Sequence, residues 1–251
     1  MVHFVGAGSG AVDLITLRGQ RLLTEADIVI YAGSLVNEEL LQYTKKDCKV
    51  YNSAHMTLDE IIDVMVSNNK DGKNIVRLHT GDPSIYGAIR EQMDRLKAVG
   101  IEYDVCPGVS SFCGAAAALK AEYTLPNVSQ TVIITRMQGK TPVPPKEQIA
   151  LLASHQATMV IFLSTGLLKE LKEELLIGGY QLTTPCAIVY KATWKDEIIV
   201  KGVLKDLPQL ALDNNITKTA LIVVGEFLGD EYELSKLYDP TFSTEYREAT
   251  K

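Results

Sequence analysis

The chain has 251 residues, enough for one large domain or two ordinary ones with a sizeable core. Hydrophobic residues at 46% and charged residues at 22% exclude a disordered chain, and no apolar stretch is long enough to span a bilayer. A formal net charge of -6 excludes nucleic-acid binding by bulk electrostatics, so any polyanionic ligand needs a local basic patch.

The N-terminal stretch alternates strand-like and helix-like segments. Val2 to Val5 is a short apolar run that ends in Gly6-Ala7-Gly8-Ser9-Gly10. Thr16 to Ala26 has helical spacing, and Ile28 to Tyr31 reads as a buried strand. Thr57 to Val66 is helical, with Leu58, Ile61, Ile62 and Met65 on one face. Asn74 to Leu78 reads as a strand, Ser84 to Val99 as a helix, Tyr103 to Cys106 as a strand and Ser110 to Lys120 as an alanine-rich helix. Strands alternating with helices require crossover connections, hence a mostly parallel sheet.

Thr124-Leu125-Pro126-Asn127 is a turn-rich break. Beyond it, strands are predicted at Thr131 to Thr135, Thr158 to Leu163, Cys186 to Tyr190, Ile198 to Leu204 and Ala220 to Val224. Helices are predicted at Lys146 to Ser154, Leu167 to Ile177 and Leu207 to Leu212. The strands at 186–190 and 198–204 have little between them and can pair as a hairpin, which makes the second sheet mixed. The expected organisation is α/β, with two α/β domains over residues 1–125 and 126–229 and a polar tail over 230–251.

Cys48, Cys106, Cys113 and Cys186 form no C-x-x-C pair, which fits reduced thiols in a cytoplasmic protein. The N-terminus shows no signal-peptide pattern. His3, His55, His79 and His155 have no metal-ligand spacing, so no metal site is expected. There is no nucleophile elbow, Ser/His/Asp order or paired-carboxylate motif.

Three glycine-bearing segments stand where a strand hands over to a helix. The first is Gly6 to Gly10. Its third glycine is one residue early for a dinucleotide fingerprint, and the second strand ends in Tyr31-Ala32-Gly33 without the acidic residue that grips a ribose. The second is Thr80-Gly81-Asp82-Pro83-Ser84-Ile85-Tyr86-Gly87, in which Asp82 can cap the next helix and Pro83 can occupy its first position. The third is Pro107-Gly108-Val109-Ser110-Ser111, in which Ser110 is the cap. Each is a sound strand-to-helix turn, and each is also a place where backbone can approach a ligand at the carboxyl edge of a sheet. Glycine loops and backbone groups suit a reaction that needs alignment and exclusion of water more than an acid or base. Such positioning supplies roughly 7–11 kcal/mol.

Taken in order with Leu14-Ile15-Thr16 and Tyr31-Ala32-Gly33-Ser34-Leu35-Val36, these segments resemble the tetrapyrrole methylases from about Val2 to Gly225. The resemblance implies a class III methyltransferase fold and a homodimer of two α/β domains with a cofactor cleft between them. The implied co-substrate is S-adenosyl-L-methionine, with S-adenosyl-L-homocysteine as product. Three stretches resemble the branch that methylates carbon 11 of precorrin-4 or cobalt-precorrin-4, on the route to cobalamin. They are Tyr31 to Val36, Gln130 to Arg136 with Gly139 to Pro142, and Val189 to Trp194.

Carried over by position, the cofactor contacts implied are Ser9, Thr80, Gly81, Asp82, Ile85, Ser110, Ser111 and Ala192, with Leu163 or Ser164 as a further one across a one-residue ambiguity. Uroporphyrinogen-methylating relatives carry an aspartate and an arginine just after the second-strand tyrosine, where this chain has Ala32, Gly33 and Ser34. That departure speaks against the uroporphyrinogen branch. Arg136, Lys140 and Lys191 are the expected partners for the carboxylates of a tetrapyrrole. A same-fold methylase of a protein (diphthine-type) or of ribosomal RNA, and a non-catalytic module that senses a nucleotide or tetrapyrrole, are the alternatives.

Overall fold

The computed structural model describes residues 1–33 and 35–250. Ser34 of the Tyr31 to Val36 stretch lies outside the described residues. The chain divides into two compact units, Met1–Ala118 with Lys191–Ile198, and Leu119–Tyr190 with Ile199–Lys251.

The first unit is built on five strands: β1 (Val2–Gly6), β2 (Ile28–Tyr31), β3 (Lys49–Asn52), β4 (Ile75–His79) and β5 (Tyr103–Cys106). Their order is β3-β2-β4-β1-β5, and every pairing is parallel. Alternate side chains of a strand face opposite sides of the sheet, so the hydrophobic pattern makes two cores. Val5, Val29, Val76 and Leu78 pack with Leu23 of helix α1 (Leu17–Glu25) on one side. Phe4, Ile28, Ile30 and Ile75 pack on the other, with Met65 of α2 (Leu58–Lys70) and Leu96 of α3 (Ile89–Ala98). Phe4 is fully buried, and truncating such a side chain costs about 3–5 kcal/mol.

Local signals start the helices. The Thr16 side chain accepts from Gly19 N–H at 3.1 Å to cap α1. Thr57 and Glu60 form a reciprocal capping box on α2. Helix α3 differs from its prediction. It begins at Ile89, not Ser84, because Tyr86 (φ 55°) and Ala88 (φ 50°) are left-handed and interrupt the helical backbone. Asp82 therefore caps a local turn rather than a helix. Helix α4 (Ser111–Leu119) follows β5 with Ser110 just before it. Strand β3 and the 3-10 segment Glu38–Tyr43 carry no clear sequence pattern and were not predicted.

The second unit has strands β6 (Val132–Arg136), β7 (Thr158–Phe162), β8 (Pro185–Tyr190), β9 (Ile198–Val203) and β10 (Ala220–Val224), in the order β6-β7-β10-β8-β9. β6 and β7 are parallel, and β10 is antiparallel to β7 and β8, so the sheet is mixed as expected. β8 and β9 are neighbours. Helices α5 (Ile149–Ala153), α6 (Leu168–Ile177) and α7 (Leu207–Asp213) bury Ile149, Leu171, Leu175 and Leu207 against Met159, Ile188 and Ile222. Between β8 and β9 the segment Lys191–Ile198 packs as part of the first unit, although it interrupts two strands of the second.

Candidate functional site

Strand order decides which turns meet. β1 lies between β4 and β5, so in the first unit the turns that leave the carboxyl ends of these three strands are neighbours. That is where open parallel sheets bind ligands. Ala7 N–H donates to His79 O at 2.7 Å, and Gly8 and Gly81 form a two-way backbone bridge of 3.0 and 3.3 Å. Gly81 has φ +61° and Gly8 φ +83°, left-handed values that glycine adopts without strain.

The third turn is fastened in the same way. A Cβ on Gly6 would lie 2.6 Å from the Gly108 Cα and from Gly81 O, so the backbones of the three turns meet directly. Asp82 completes the arrangement. Its Oδ2 accepts from Gly108 N–H at 2.9 Å, and its Oδ1 accepts from Ser84 N–H at 2.8 Å and from the Ser84 hydroxyl. Partial burial pushes the Asp82 carboxyl up. The hydrogen bonds from Ser84 and Gly108 outweigh it and hold the group below its ordinary value. Asp82 is thus an anion at neutral pH, and it is the one carboxylate in the three turns.

The sequence-derived residues of the first unit fall on this edge. Gly81 approaches Ser110 and Ser111, since a Cβ on it would sit 3.4 Å from the Ser110 Cα and 3.3 Å from Ser111 N. Ile85 N–H donates to Asp82 O at 3.2 Å. Thr80 Oγ1 is buried and has no hydrogen-bond partner among the described residues. A buried hydroxyl left unpaired costs about 1–3 kcal/mol, which a ligand that met it would return. Ser9 is buried, and its Oγ shares a 3.0 Å hydrogen bond with Thr193 Oγ1.

Ala192 is joined to the same group. It was expected on the second domain, yet it lies in the Lys191–Ile198 segment of the first unit. A Cβ on Gly10 would collide with the Trp194 indole and lie 2.8 Å from Ala192 O. Lys191 Nζ is 2.5 Å from Asp196 Oδ2 and 5.2 Å from the centroid of the Trp194 ring. Its charge is therefore met within the segment. Thr193 and the ring of Trp194 were not singled out from the sequence as contacts of the first glycine loop. The position of the sole tryptophan, directly after Thr193, was the available signal.

The remaining candidates belong to the second unit. Leu163 directly follows β7, lies in the left-handed region (φ 52°), which is uncommon for a bulky non-glycine residue, and is 66% exposed. Ser164 is fully buried, accepts from Met137 N–H at 2.9 Å and donates to Phe162 O at 2.6 Å. Of the two readings of that position, Leu163 is the side chain open to a ligand. Arg136 spreads its guanidinium over three carbonyls of its own loop, Met137 O at 3.1 Å, Thr141 O at 3.2 Å and Pro142 O at 2.7 Å. Carbonyls orient the guanidinium without neutralising it. Lys140 is exposed. Neither has an ion-pair partner among the described residues.

No group of three or more His, Cys, Asp or Glu is placed to hold a metal among the described residues. No described helix is long and apolar enough to cross a membrane.

Residues 1–208 match the model of a family described as Tetrapyrrole (Corrin/Porphyrin) Methylases. The chain is 56% identical over 251 residues to the cobalt-precorrin-4 C(11)-methyltransferase of Methanocaldococcus jannaschii, covering 100% of this chain and 97% of the relative. It resembles the X-ray structure of a cobalt precorrin-4 methyltransferase, a cobalamin biosynthetic enzyme, with a TM-score of 0.89 and 45% identity over 91% of this chain and 96% of that one. It also resembles uroporphyrin-III C-methyltransferase from Thermus thermophilus complexed with S-adenosylhomocysteine, with a TM-score of 0.73 and 26% identity over 90% and 92% of the two chains.

Proposed function

We propose, from the fact that the chain belongs to the tetrapyrrole (corrin/porphyrin) methylases, that it transfers a methyl group from S-adenosylmethionine to carbon 11 of precorrin-4 or cobalt-precorrin-4 in cobalamin biosynthesis. The observation that carries the reading is the 56% identity to a cobalt-precorrin-4 C(11)-methyltransferase along the entire chain. Support for the co-substrate comes from the Thermus thermophilus relative complexed with S-adenosylhomocysteine, and from the three joined turns of the first unit.

The residues present fit such a co-substrate. Thr80 supplies a buried hydroxyl without a hydrogen-bond partner among the described residues, and Asp82 supplies an anion for a ligand that carries positive charge. Gly81, Ile85, Ser110, Ser111, Ser9 and Ala192 belong to the same edge of the first unit, and Leu163 is a further proposed co-substrate contact. When bound, S-adenosylmethionine supplies a methyl whose leaving group is a neutral thioether, so the carbon–sulfur bond breaks as the carbon–carbon bond forms. The protein's part is to bind, orient and keep water out, a task that requires no nucleophile–base pair. Arg136 and Lys140 are the proposed partners of the macrocycle's carboxylates. Lys191, already paired with Asp196, is the weaker candidate for that task.

The enzyme is further proposed to act as a cytoplasmic homodimer, in keeping with the family resemblance of its motifs. Sedimentation of the purified protein checks the oligomer, and a monomer at working concentration contradicts it. The activity is tested by incubating the protein with S-adenosylmethionine and cobalt-precorrin-4 or precorrin-4, then weighing the tetrapyrrole. One added methyl per ring supports the reading, and an unchanged mass with both substrates rejects it.

A further inference from the structure

In the first unit, the loop after β1 is held from outside the sheet by an eight-residue excursion, Lys191–Ile198. Thr193 is its point of contact. Its Oγ1 accepts from Ala11 N–H at 3.1 Å and shares a hydrogen bond of 3.0 Å with Ser9 Oγ. Its own N–H donates to Glu197 Oε2 at 2.6 Å. Beside it, the Trp194 indole fills the space where Gly10 has no side chain. A Cβ on Gly114 of α4 would meet Ser9 Cβ at 2.6 Å and Thr193 Cγ2 at 3.4 Å, so the hydroxyl pair sits against that helix with no slack.

Thr193 holds this place at a conformational cost. Its φ is +69°, in the left-handed region, where a β-branched residue is a genuine outlier. Lys191, two residues earlier, is also left-handed at φ 45°. Asparagine or glycine would relieve the backbone at 193, but glycine brings no hydroxyl and asparagine brings a longer amide in place of one. A strained residue kept in position by several partners marks a site where its side chain is needed. Here the side chain's partners are the Ser9 hydroxyl and the loop backbone one residue past Gly10.

We propose that Thr193 is a positioning residue for S-adenosylmethionine: its hydroxyl fixes the Ser9 side chain and the Gly6 to Ala11 loop in the geometry that receives the co-substrate. The assignment rests on the reading of that loop as part of the co-substrate site. Thr193 acts through Ser9 and Ala11 and does not itself have to touch the ligand.

The test is calorimetric titration of the 251-residue chain with S-adenosylhomocysteine, accompanied by thermal melting. Thr193→Val keeps the branched shape and loses the hydroxyl, and it is expected to weaken binding about tenfold, the order of one or two lost hydrogen bonds. Thr193→Ser restores the hydroxyl and is expected to bind within about twofold of the parent, a shift of a few tenths of a kcal/mol. Thr193→Gly relieves the left-handed backbone, so it provides a folded variant if the valine form is unstable, and it is expected to weaken binding as much as valine does. In a double mutant with Ser9→Ala, the two effects are expected to be less than additive. Parent-like affinity in Thr193→Val or Thr193→Gly, with or without a change in melting temperature, overturns the proposal. Failure of the unmodified protein to bind S-adenosylhomocysteine overturns the co-substrate reading instead, so the two failures are distinguishable.

Discussion

Gly108 N–H donates to Oδ2 of Asp82 at 2.9 Å, so a carboxylate from the turn after β4 fastens the turn after β5. The same carboxylate holds Ser84 through its other oxygen. Replacing Asp82 with alanine releases both and removes the only anion in the three turns. The expected result is a stability loss of about 1–3 kcal/mol, as for other lost hydrogen bonds to a charged group, together with an affinity for S-adenosylhomocysteine at least about tenfold weaker. Denaturant melts and calorimetry read the two effects separately. A variant that is less stable but binds normally would assign Asp82 to structure alone.

Gly108→Ala tests whether the turns depend on backbone contact. The added methyl would press on Gly81 O and lie 2.7 Å from the Gly6 Cα, atoms that cannot swing aside as a flexible side chain can. Overpacking of this kind costs about 1–3 kcal/mol, and the variant is expected to melt lower and to bind S-adenosylhomocysteine more weakly. Parent-like melting and affinity would mean that the turns are free to separate.

His79 gives a pH dependence with a definite sign. Burial first, and then the charge of Arg77, depress its pKa from the usual 6.5 to about 3. The unfolded chain therefore takes up a proton near pH 6.5 that the folded chain refuses until about 3. Between those values the unfolded state binds more protons, so stability present above 6.5 is lost as the pH falls. The slope from this group is at most about 1.4 kcal/mol per pH unit. His79→Gln is expected to flatten the denaturation free energy against pH in that window. An unchanged slope would place the titration elsewhere.

Lys140 is exposed and has no ion-pair partner among the described residues, whereas Arg136 also braces its own loop. Lys140→Ala is therefore expected to weaken tetrapyrrole binding by several-fold at low salt, less so at high salt, and to leave S-adenosylhomocysteine binding unchanged. Equal binding of the tetrapyrrole at low salt would remove Lys140 from the site. Arg136→Lys is expected to lose the three-carbonyl fork and lower stability as well.

Much of the fold was legible because burial follows period. Val2 to Val5, Ile28 to Tyr31 and Ala220 to Val224 are apolar runs of strand length, and each is a buried strand. Ile61, Ile62 and Met65 sit at helical spacing and face the core of the first unit. What escaped was set by partners distant in sequence or by single backbone angles. The sequence Pro83 to Ala88 reads as a helix start until Tyr86 and Ala88 turn left-handed. β3 is an edge strand with exposed residues, and it offers no alternation to read. The glycine loops of the candidate site could be read from their position after strands. Their mutual fastening could not, since Asp82 and Gly108 lie 26 residues apart. The return of Lys191–Ile198 to the first unit brings together Thr193 and Ser9, which are 184 residues apart.

The most direct measurement is carbon NMR of the tetrapyrrole formed by this protein from cobalt-precorrin-4 and S-adenosylmethionine carrying a ¹³C-labelled methyl group. The account predicts a single labelled methyl bonded to carbon 11. A label on any other ring position, or no label in the macrocycle at all, would contradict it.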